Sequence, residues 1–417
     1  MIKGEKIRLD IHNILFSIYK FNKTLNSDSI KKTISKYEDS DVNFLHTVLL
    51  NSMRYQYHTA KIIDLYVHKK IRDQEKILLL SSITQIVFLN FKDYAVINCS
   101  VEIAKKLKIY HGFINACLKN ISKNKSKLAK VKISYNDFPN WFKSKTEDIS
   151  EIDKELFIAN FNQEPSIHLV FKNNIEMKNF EEEIIATSDI SGFLVSKKNP
   201  KKIQSFNKGN WWIQDFSSFY PLYNFNEKNK FKNYLDACAA PGGKSFQLLS
   251  KKFDVTLNDK SLLRLKILKL NLKRLKFDTK ILNEDFINFK SNKKYDVIII
   301  DAPCSSVGTI RKNPEIFFKI KEPKFKNLLK TQEEMLLKGT SLLKPSGIII
   351  YMVCSFLKVE TDDQINKFLK KKTDFELYNF EINNRNTNYS KFIKDKCMKT
   401  LPISVLNKNI DGYFAAF

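Results

Sequence analysis

No histidine follows position 168 in this chain of 417 residues; the six present are His12, His46, His58, His68, His111 and His168. A hydrolase that activates a cysteine through an imidazole needs the two side by side. The C-terminal half must therefore draw its acids and bases from Asp, Glu, Lys and Cys. Glycine is scarce as well, with only ten residues. None of the six cysteines (Cys99, Cys117, Cys238, Cys304, Cys354 and Cys397) stands in a C-x-x-C pair. The spacing thus points to neither a zinc site nor a disulfide framework. The longest apolar stretch, Ile77–Asn90, is interrupted by polar residues and falls short of the roughly 20 residues that span a bilayer. The N-terminus has no apolar core of the secretory type. Free thiols then fit a reducing, cytoplasmic setting, and no membrane association is expected.

Positive charge, by contrast, is abundant. Lys and Arg number 71 against 45 Asp and Glu, a net charge of +26, and the lysines are spread over every region. Such an excess suits a polyanionic partner, above all nucleic acid, although a Lys-, Asn-, Ile- and Phe-rich composition is also what an AT-rich genome encodes. With 43% hydrophobic residues the chain can fill real cores, and its length suggests two or three domains.

Residues 1–125 read as a helical domain. Asp41 is placed to cap a helix whose apolar positions Val42, Leu45, Leu49 and Met53 recur at helical spacing. A second helix carries Ile97, Val101, Ala104 and Leu107. A basic connector follows, Ile121 to Lys132, read as a solvated linker in preference to a phosphate contact, and residues 126–205 are expected to form a linker and small α+β RNA-binding region that includes a strand near Ile167–Phe171. From 206 to 417 the pattern becomes strand, turn, helix, repeated. Strands are expected at Asn233–Asp236, Asp254–Asn258, Thr279–Leu282, Tyr295–Ile300 and Gly347–Met352, with a helix over Ser261–Lys276. The expected fold class is therefore multidomain, a helical N-terminal domain followed by a Rossmann-like α/β domain.

The adjacent glycines Gly242 and Gly243 mark a loop where the backbone needs unusual dihedrals or close approach to a ligand. The loop runs Asp236-Ala-Cys238-Ala239-Ala240-Pro241-Gly242-Gly243-Lys244. A P-loop reading has Gly243-Lys244-Ser245 in its favour, but its first glycine would fall on Cys238, and a Cβ there fits a phosphate cradle poorly. An S-adenosylmethionine site fits better. Cys238–Lys244 would take the methionine end, Asp259 after the second strand the ribose hydroxyls, and Asp285 after the third the adenine amine.

Two further motifs complete a resemblance. Asp301-Ala-Pro-Cys304-Ser-Ser-Val-Gly-Thr and Tyr351-Met-Val-Cys354-Ser, with the glycine loop and Asp411-Gly-Tyr-Phe-Ala-Ala, resemble the RNA 5-methylcytosine methyltransferases (the Sun/NOP2/NSUN family). Gly112-Phe-Ile-Asn-Ala-Cys-Leu-Lys-Asn-Ile resembles a NusB-type RNA-binding domain. The combination is similar to the bacterial RsmB (Sun/Fmu) type, which methylates 16S ribosomal RNA. The resemblance implies that Cys354 is the nucleophile, that Cys304 promotes release, and that Asp301 lies near both cofactor and cytosine.

The chemistry explains why two thiols are needed. C5 of cytosine is a poor nucleophile until a thiolate adds at C6, and the C5 proton must later leave so that the thiol can be eliminated. A thiol with a pKa near 8.5 needs nearby donors or positive charge to attack. DNA enzymes of related chemistry resemble the chain only at Pro303-Cys304; the second cysteine points to RNA. The partner is then 16S rRNA or a small-subunit assembly intermediate, with an unstacked base as target, and the chain is expected to act as a monomer. The rival reading is a non-catalytic RNA-binding assembly factor, against which both cysteines argue. Trp211 and Trp212 are candidates for base stacking, with packing the more ordinary role, and Arg311 is a candidate phosphate contact. The chain departs from the family pattern at Met352-Val353, where small or hydroxyl residues are usual, at Phe219 in place of Gln, and in strand 167–172, which lacks an arginine.

Overall fold

The computed structural model describes residues 3–417 apart from 197, 226–230 and 379–386. They form two compact units. The first comprises Met1–Gln163 together with Ile310–Pro323, and the second Glu164–Thr309 with Lys324–Phe417. The cut at 163/164 coincides with neither 125/126 nor 205/206.

The first unit is helical. Helix Lys3–Phe21 places Ile11, Ile14, Leu15 and Ile18 on one buried face, against Leu45, Val48, Leu49 and Met53 of helix Asp39–Arg54. That helix begins three residues earlier than expected. Glu38 is its N-cap and Asp41 lies in its first turn, where a carboxylate favours the helix dipole. The second expected helix spans Asp93–Lys106. The basic connector is no solvated linker: helix His111–Lys123 runs into it, a short helix Lys125–Leu128 follows, Leu128 is buried in the core, and Lys125 pairs with Asp93 at 2.9 Å. Residues 126–163 join this unit through an aromatic cluster. Phe317, from the returning segment, tilts against Phe142 at 4.8 Å and stacks on Phe161 at 6.0 Å, and Phe138 meets Phe161 edge-on at 5.0 Å. Rings of this size dominate a small core.

Two buried imidazoles give this unit a pH dependence. Burial pushes His12 and His58 down to about 4, whereas an unfolded imidazole titrates near 6.5. Below 6.5 the unfolded chain binds more protons than the folded one, so stability falls as pH drops from about 6.5 to 4. We expect roughly 3 kcal/mol of loss from His12 alone by pH 4. Urea titrations followed by circular dichroism at several pH values check this, and the loss should shrink in His12→Phe.

The second unit holds two sheets. The smaller is antiparallel, built from β1 (His168–Phe171), β2 (Ile184–Ser188), β3 (Ser191–Leu194) and β4 (Trp211–Ile213) in the order β2-β3-β1-β4. His168 is a satisfied core residue, its ring nitrogens each 2.8 Å from Gln214 O and Thr187 Oγ1. The larger sheet contains β5 (Asn233–Asp236), β6 (Asp254–Asn258), β7 (Ile281–Leu282), β8 (Tyr295–Asp301), β9 (Leu343–Val353), β10 (Ile393–Lys394) and β11 (Cys397–Thr400). After a hairpin of β12 (Ser404–Val405) and β13 (Lys408–Asn409), the chain returns as β14 (Tyr413–Ala416). The order is β10-β11-β14-β9-β8-β5-β6-β7. Strands β5 to β9 run parallel, and β14, β11 and β10 are added in turn, each antiparallel to the strand before it in the sheet. Val297–Ile300 are wholly buried, as a strand covered on both faces requires. The chain order reverses between β5 and β8, and an open sheet of this kind binds ligands at the carboxyl ends flanking such a reversal.

Candidate active site

The loop after β5 is held from beneath. Asp236 is buried; it accepts hydrogen bonds from Ser245 Oγ at 2.6 Å and from the Cys238 N–H at 3.3 Å, and burial pushes its pKa up to about 6. Gly242 sits at φ +121°, and a Cβ there would lie 2.0 Å from the Phe246 ring. Helix Gly243–Ser250 starts immediately after it. Gly242→Ala must therefore displace the loop, and we expect it to weaken S-adenosylmethionine binding by about tenfold or more, read by calorimetry on the folded variant. Lys244 turns away from a phosphate-binding pose: its Nζ pairs with Asp301 Oδ2 at 2.7 Å and lies 5.4 Å from the centre of the Tyr413 ring. Tyr413 in turn donates to Asp301 Oδ1 at 3.2 Å. The P-loop reading thereby loses its lysine as well as its first glycine.

Asp259, at the end of β6, is 2% exposed. Its carboxylate accepts from the N–H groups of Ala240 and Ser261, at 3.2 and 2.9 Å, and lies 3.4 Å from Arg264 Nη1. Asp285 follows β7 and accepts from Ile287 N–H at 3.2 Å. Buried Asn258 ties the two strand ends together, donating to Ala237 O and Glu284 O at 3.1 Å each.

The thiols meet across the ends of β8 and β9. Cys304 Sγ lies 3.3 Å from Cys354 Sγ, and Ser306 Oγ lies 3.4 Å from Cys354 Sγ. The two sulfurs are driven apart electrostatically. The hydrogen bond from Cys304 lowers the Cys354 pKa, with help from Ser306 and Lys244, against burial and Asp301. The same bond, with burial, raises Cys304 well above the usual thiol range. Cys304 is thus the donor and Cys354 the sulfur prepared to ionise. Cys238 is raised by burial and by the carboxylates of Asp301 and Asp236, which leaves it unreactive.

A cavity of about 330 Å³ joins these parts. Cys238, Asp259, Asp285, Asp301, Cys304 and Cys354 all line it. A larger hollow of about 780 Å³ lies between helices Phe325–Leu342 and Asp362–Lys371 and the start of β9, and has none of these groups in its walls. Volume and chemistry disagree here, and the chemistry decides the site.

Residues 223–417 match the family model described as 16S rRNA methyltransferase RsmB/F, and residues 6–123 match the NusB family. The chain thus carries an RsmB/F methyltransferase domain and a NusB domain. It is an S-adenosylmethionine-dependent RNA methyltransferase with an N-terminal NusB domain. The ribosomal RNA small subunit methyltransferase B of Shewanella oneidensis is 28% identical over 333 residues, covering 74% of this chain and 77% of that protein. The protein of the same name from Vibrio vulnificus is 24% identical over 407 residues, 91% and 94% of the two chains. Among solved structures, PH0851 aligns over 100% of this chain and 98% of its own with a TM-score of 0.71 at 20% identity. NSun6 from Pyrococcus horikoshii with SFG aligns over 67% and 97% with a TM-score of 0.54 at 16% identity. These two likenesses establish the fold. No helix among the described residues is long and apolar enough to cross a membrane.

In this RsmB/F domain Cys238, the three aspartates and both thiols come together around one cavity, whereas Ala239, Ala240, Pro241, Gly242, Gly243 and Lys244 of the expected cofactor loop do not line it. Trp211 and Trp212 do not join them. Both are buried, with their indole N–H groups donating to Ser205 Oγ and Gln214 Oε1 at 2.9 Å, so neither offers a face for stacking. Arg311 is 1% exposed inside the helical unit, its carbonyl accepting from Arg54 Nη2 at 3.0 Å, and it reaches no surface phosphate. Met352 and Val353 are buried. The hydroxyl missing before Cys354 is supplied across the strand end by Ser306. Phe219 is a core ring, 5.0 Å from Tyr223. The sequence reading overlooked Ser306, Tyr413 and Glu360. Ser306 stands two residues from Cys304 and Glu360 six from Cys354, and Tyr413 lies inside the Asp411-Gly-Tyr-Phe-Ala-Ala motif, but no local pattern indicates which residues they meet.

Proposed function

We propose that this chain methylates C5 of a cytosine in 16S ribosomal RNA, on free RNA or a small-subunit assembly intermediate, and that it acts as a monomer. The observation that carries the reading is the pair of unequal thiols opening on the same cavity as Cys238, Asp259 and Asp285. The name shared by its relatives and the net charge of +26 support an RNA target. The helical NusB unit is proposed to engage the RNA, with an unstacked base entering the cavity.

The residues suit S-adenosylmethionine. Gly242 leaves no room for a side chain beside the loop, and Asp259 and Asp285 line the cavity that continues to the thiols. The loop Cys238–Lys244 would hold the methionine end, Asp259 the ribose hydroxyls and Asp285 the adenine amine. When bound, the cofactor supplies an electrophilic methyl group. Cys354, as thiolate, adds to C6 and makes C5 nucleophilic. Asp301, held by Lys244 and Tyr413, hydrogen-bonds the ring and polarises it. After transfer, a base takes the C5 proton, the C5–C6 double bond re-forms and the bond to Cys354 Sγ breaks. Cys304 suits that second task. The largest cause holding it protonated is its bond to Cys354, and that cause disappears once Cys354 is a neutral thioether.

The deciding experiment incubates the full chain with labelled S-adenosylmethionine and unmodified 16S rRNA, followed by bisulfite sequencing. A single protected cytosine is expected. Label on an exocyclic amine or a ribose, or none at all, overturns the reading. The alternative of a non-catalytic assembly factor predicts binding without label.

A further inference from the structure

Glu360 faces neither the cavity nor solvent. It is fully buried, in the short turn Lys358–Glu360 after β9. Its Oε1 accepts from the Ser305 N–H at 2.8 Å and from Gln332 Nε2 at 3.2 Å, and its Oε2 accepts from Ser305 Oγ at 2.5 Å. Gln332 Nε2 also donates to the Pro303 carbonyl at 3.0 Å. Behind it, Gln364 Nε2 donates to Gln332 Oε1 at 3.0 Å and to Leu329 O at 2.7 Å. The Glu360 carbonyl accepts from Tyr351 OH at 2.9 Å.

The residues on either side of Cys304 are therefore clamped, Pro303 by Gln332 and Ser305 by Glu360. The clamp reaches the neighbour of Cys354 through one longer contact, Ser305 Oγ to Ser355 Oγ at 3.4 Å, and Cys354 is otherwise placed by its strand. It directly follows β9, whose Val353 pairs with Phe414, and its carbonyl accepts from Gly308 N–H at 3.1 Å. A carboxylate out of water is a poor source of stability unless its bonds position something. The side-chain bonds of this one go to Ser305 and to Gln332, which holds Pro303.

We propose that Glu360 is a positioning residue for the release step, holding Cys304, rather than Cys354, in register with the bound cytosine. The inference rests on the assignment of release to Cys304. Loss of the clamp leaves attack and methyl transfer in place and stalls elimination, so the enzyme stays bonded to its methylated RNA.

The test uses the full chain with S-adenosylmethionine and 16S rRNA, measuring methyl transfer in a single turnover and the denaturation-resistant RNA–protein adduct in parallel. Glu360→Ala should transfer methyl within a few-fold of wild type and raise the adduct by about ten- to a hundredfold, the scale on which small misplacements act. Glu360→Gln keeps an oxygen for Ser305 N–H and should restore turnover. Ser305→Ala removes one of the three bonds and should move in the same direction by less; if Glu360→Ala does not fold, this variant decides. Parallel loss of transfer and adduct in Glu360→Ala, or no adduct rise in Ser305→Ala where that variant decides, overturns the inference. Cys304→Ala separates the two levels. Adduct there but in neither clamp variant removes Glu360 alone; no adduct in any of them removes the assignment of release as well.

Discussion

Cys354→Ala should form no covalent adduct and lose methyl transfer by on the order of 10⁴-fold or more, the scale seen when a nucleophile acting in concert with its partners is removed. Without a sulfur at C6 the pyrimidine carbon remains unreactive, and no neighbouring group replaces it. Cys304 is 3.3 Å away but kept protonated, and Cys238 is held in its thiol form by burial and two carboxylates. The substitution removes one sulfur from a half-buried position, so folding and cofactor binding should survive. Initial rates with labelled cofactor measure the effect. Normal turnover by this variant would sink the assignment.

Cys304→Ala should give the opposite signature. Methyl transfer proceeds once, and the enzyme then remains attached to its product as a slow band on a denaturing gel that requires cofactor. A second consequence follows from the pKa directions. The leading cause of the lowered Cys354 pKa is the hydrogen bond from Cys304. Removing that donor raises the Cys354 pKa, so less thiolate is present at neutral pH and adduct formation in the variant should shift toward alkaline pH. An adduct that appears in Cys354→Ala instead reverses the two roles. An unshifted pH profile shows that Ser306 and Lys244 suffice to activate the sulfur.

The parts legible beforehand were those whose cause is local. β5 and β6 fall where their apolar runs placed them, and helix Leu262–Leu275 differs from its expected span by one residue at each end. β9 begins at Leu343 rather than Gly347; Lys344, Pro345 and Ser346 conceal its first turns of pleat, because propensity cannot register the pairing of Leu343 with Tyr295. β7 shrinks to Ile281–Leu282, the edge position lacking a second neighbour to extend it. The thiols and the glycine loop were readable because each motif is contiguous. The bonds that set their geometry were not. Tyr413 meets Asp301 across 112 residues and Glu360 meets Ser305 across 55, distances that only the strand order closes. Asp259 was legible as a carboxylate at a strand end, while its existing partners, Ala240, Ser261 and Arg264, depend on how the loop folds back.

The segment Ile310–Pro323 leaves the sheet-bearing unit directly after the Cys304 loop and belongs to the helical one. Ile310, Phe317 and Phe318 are buried there, Phe318 beside Tyr19 at 5.7 Å and Phe317 among Phe138, Phe142, Phe157 and Phe161. A recombinant fragment beginning at 164 would strip those three side chains of their cover and leave them on a tether six residues beyond a reactive cysteine. Such a fragment invites aggregation. Attempts to produce a minimal catalytic piece by deleting the N-terminal half should yield insoluble material, and limited proteolysis between the halves should leave two pieces that stay together on a sizing column.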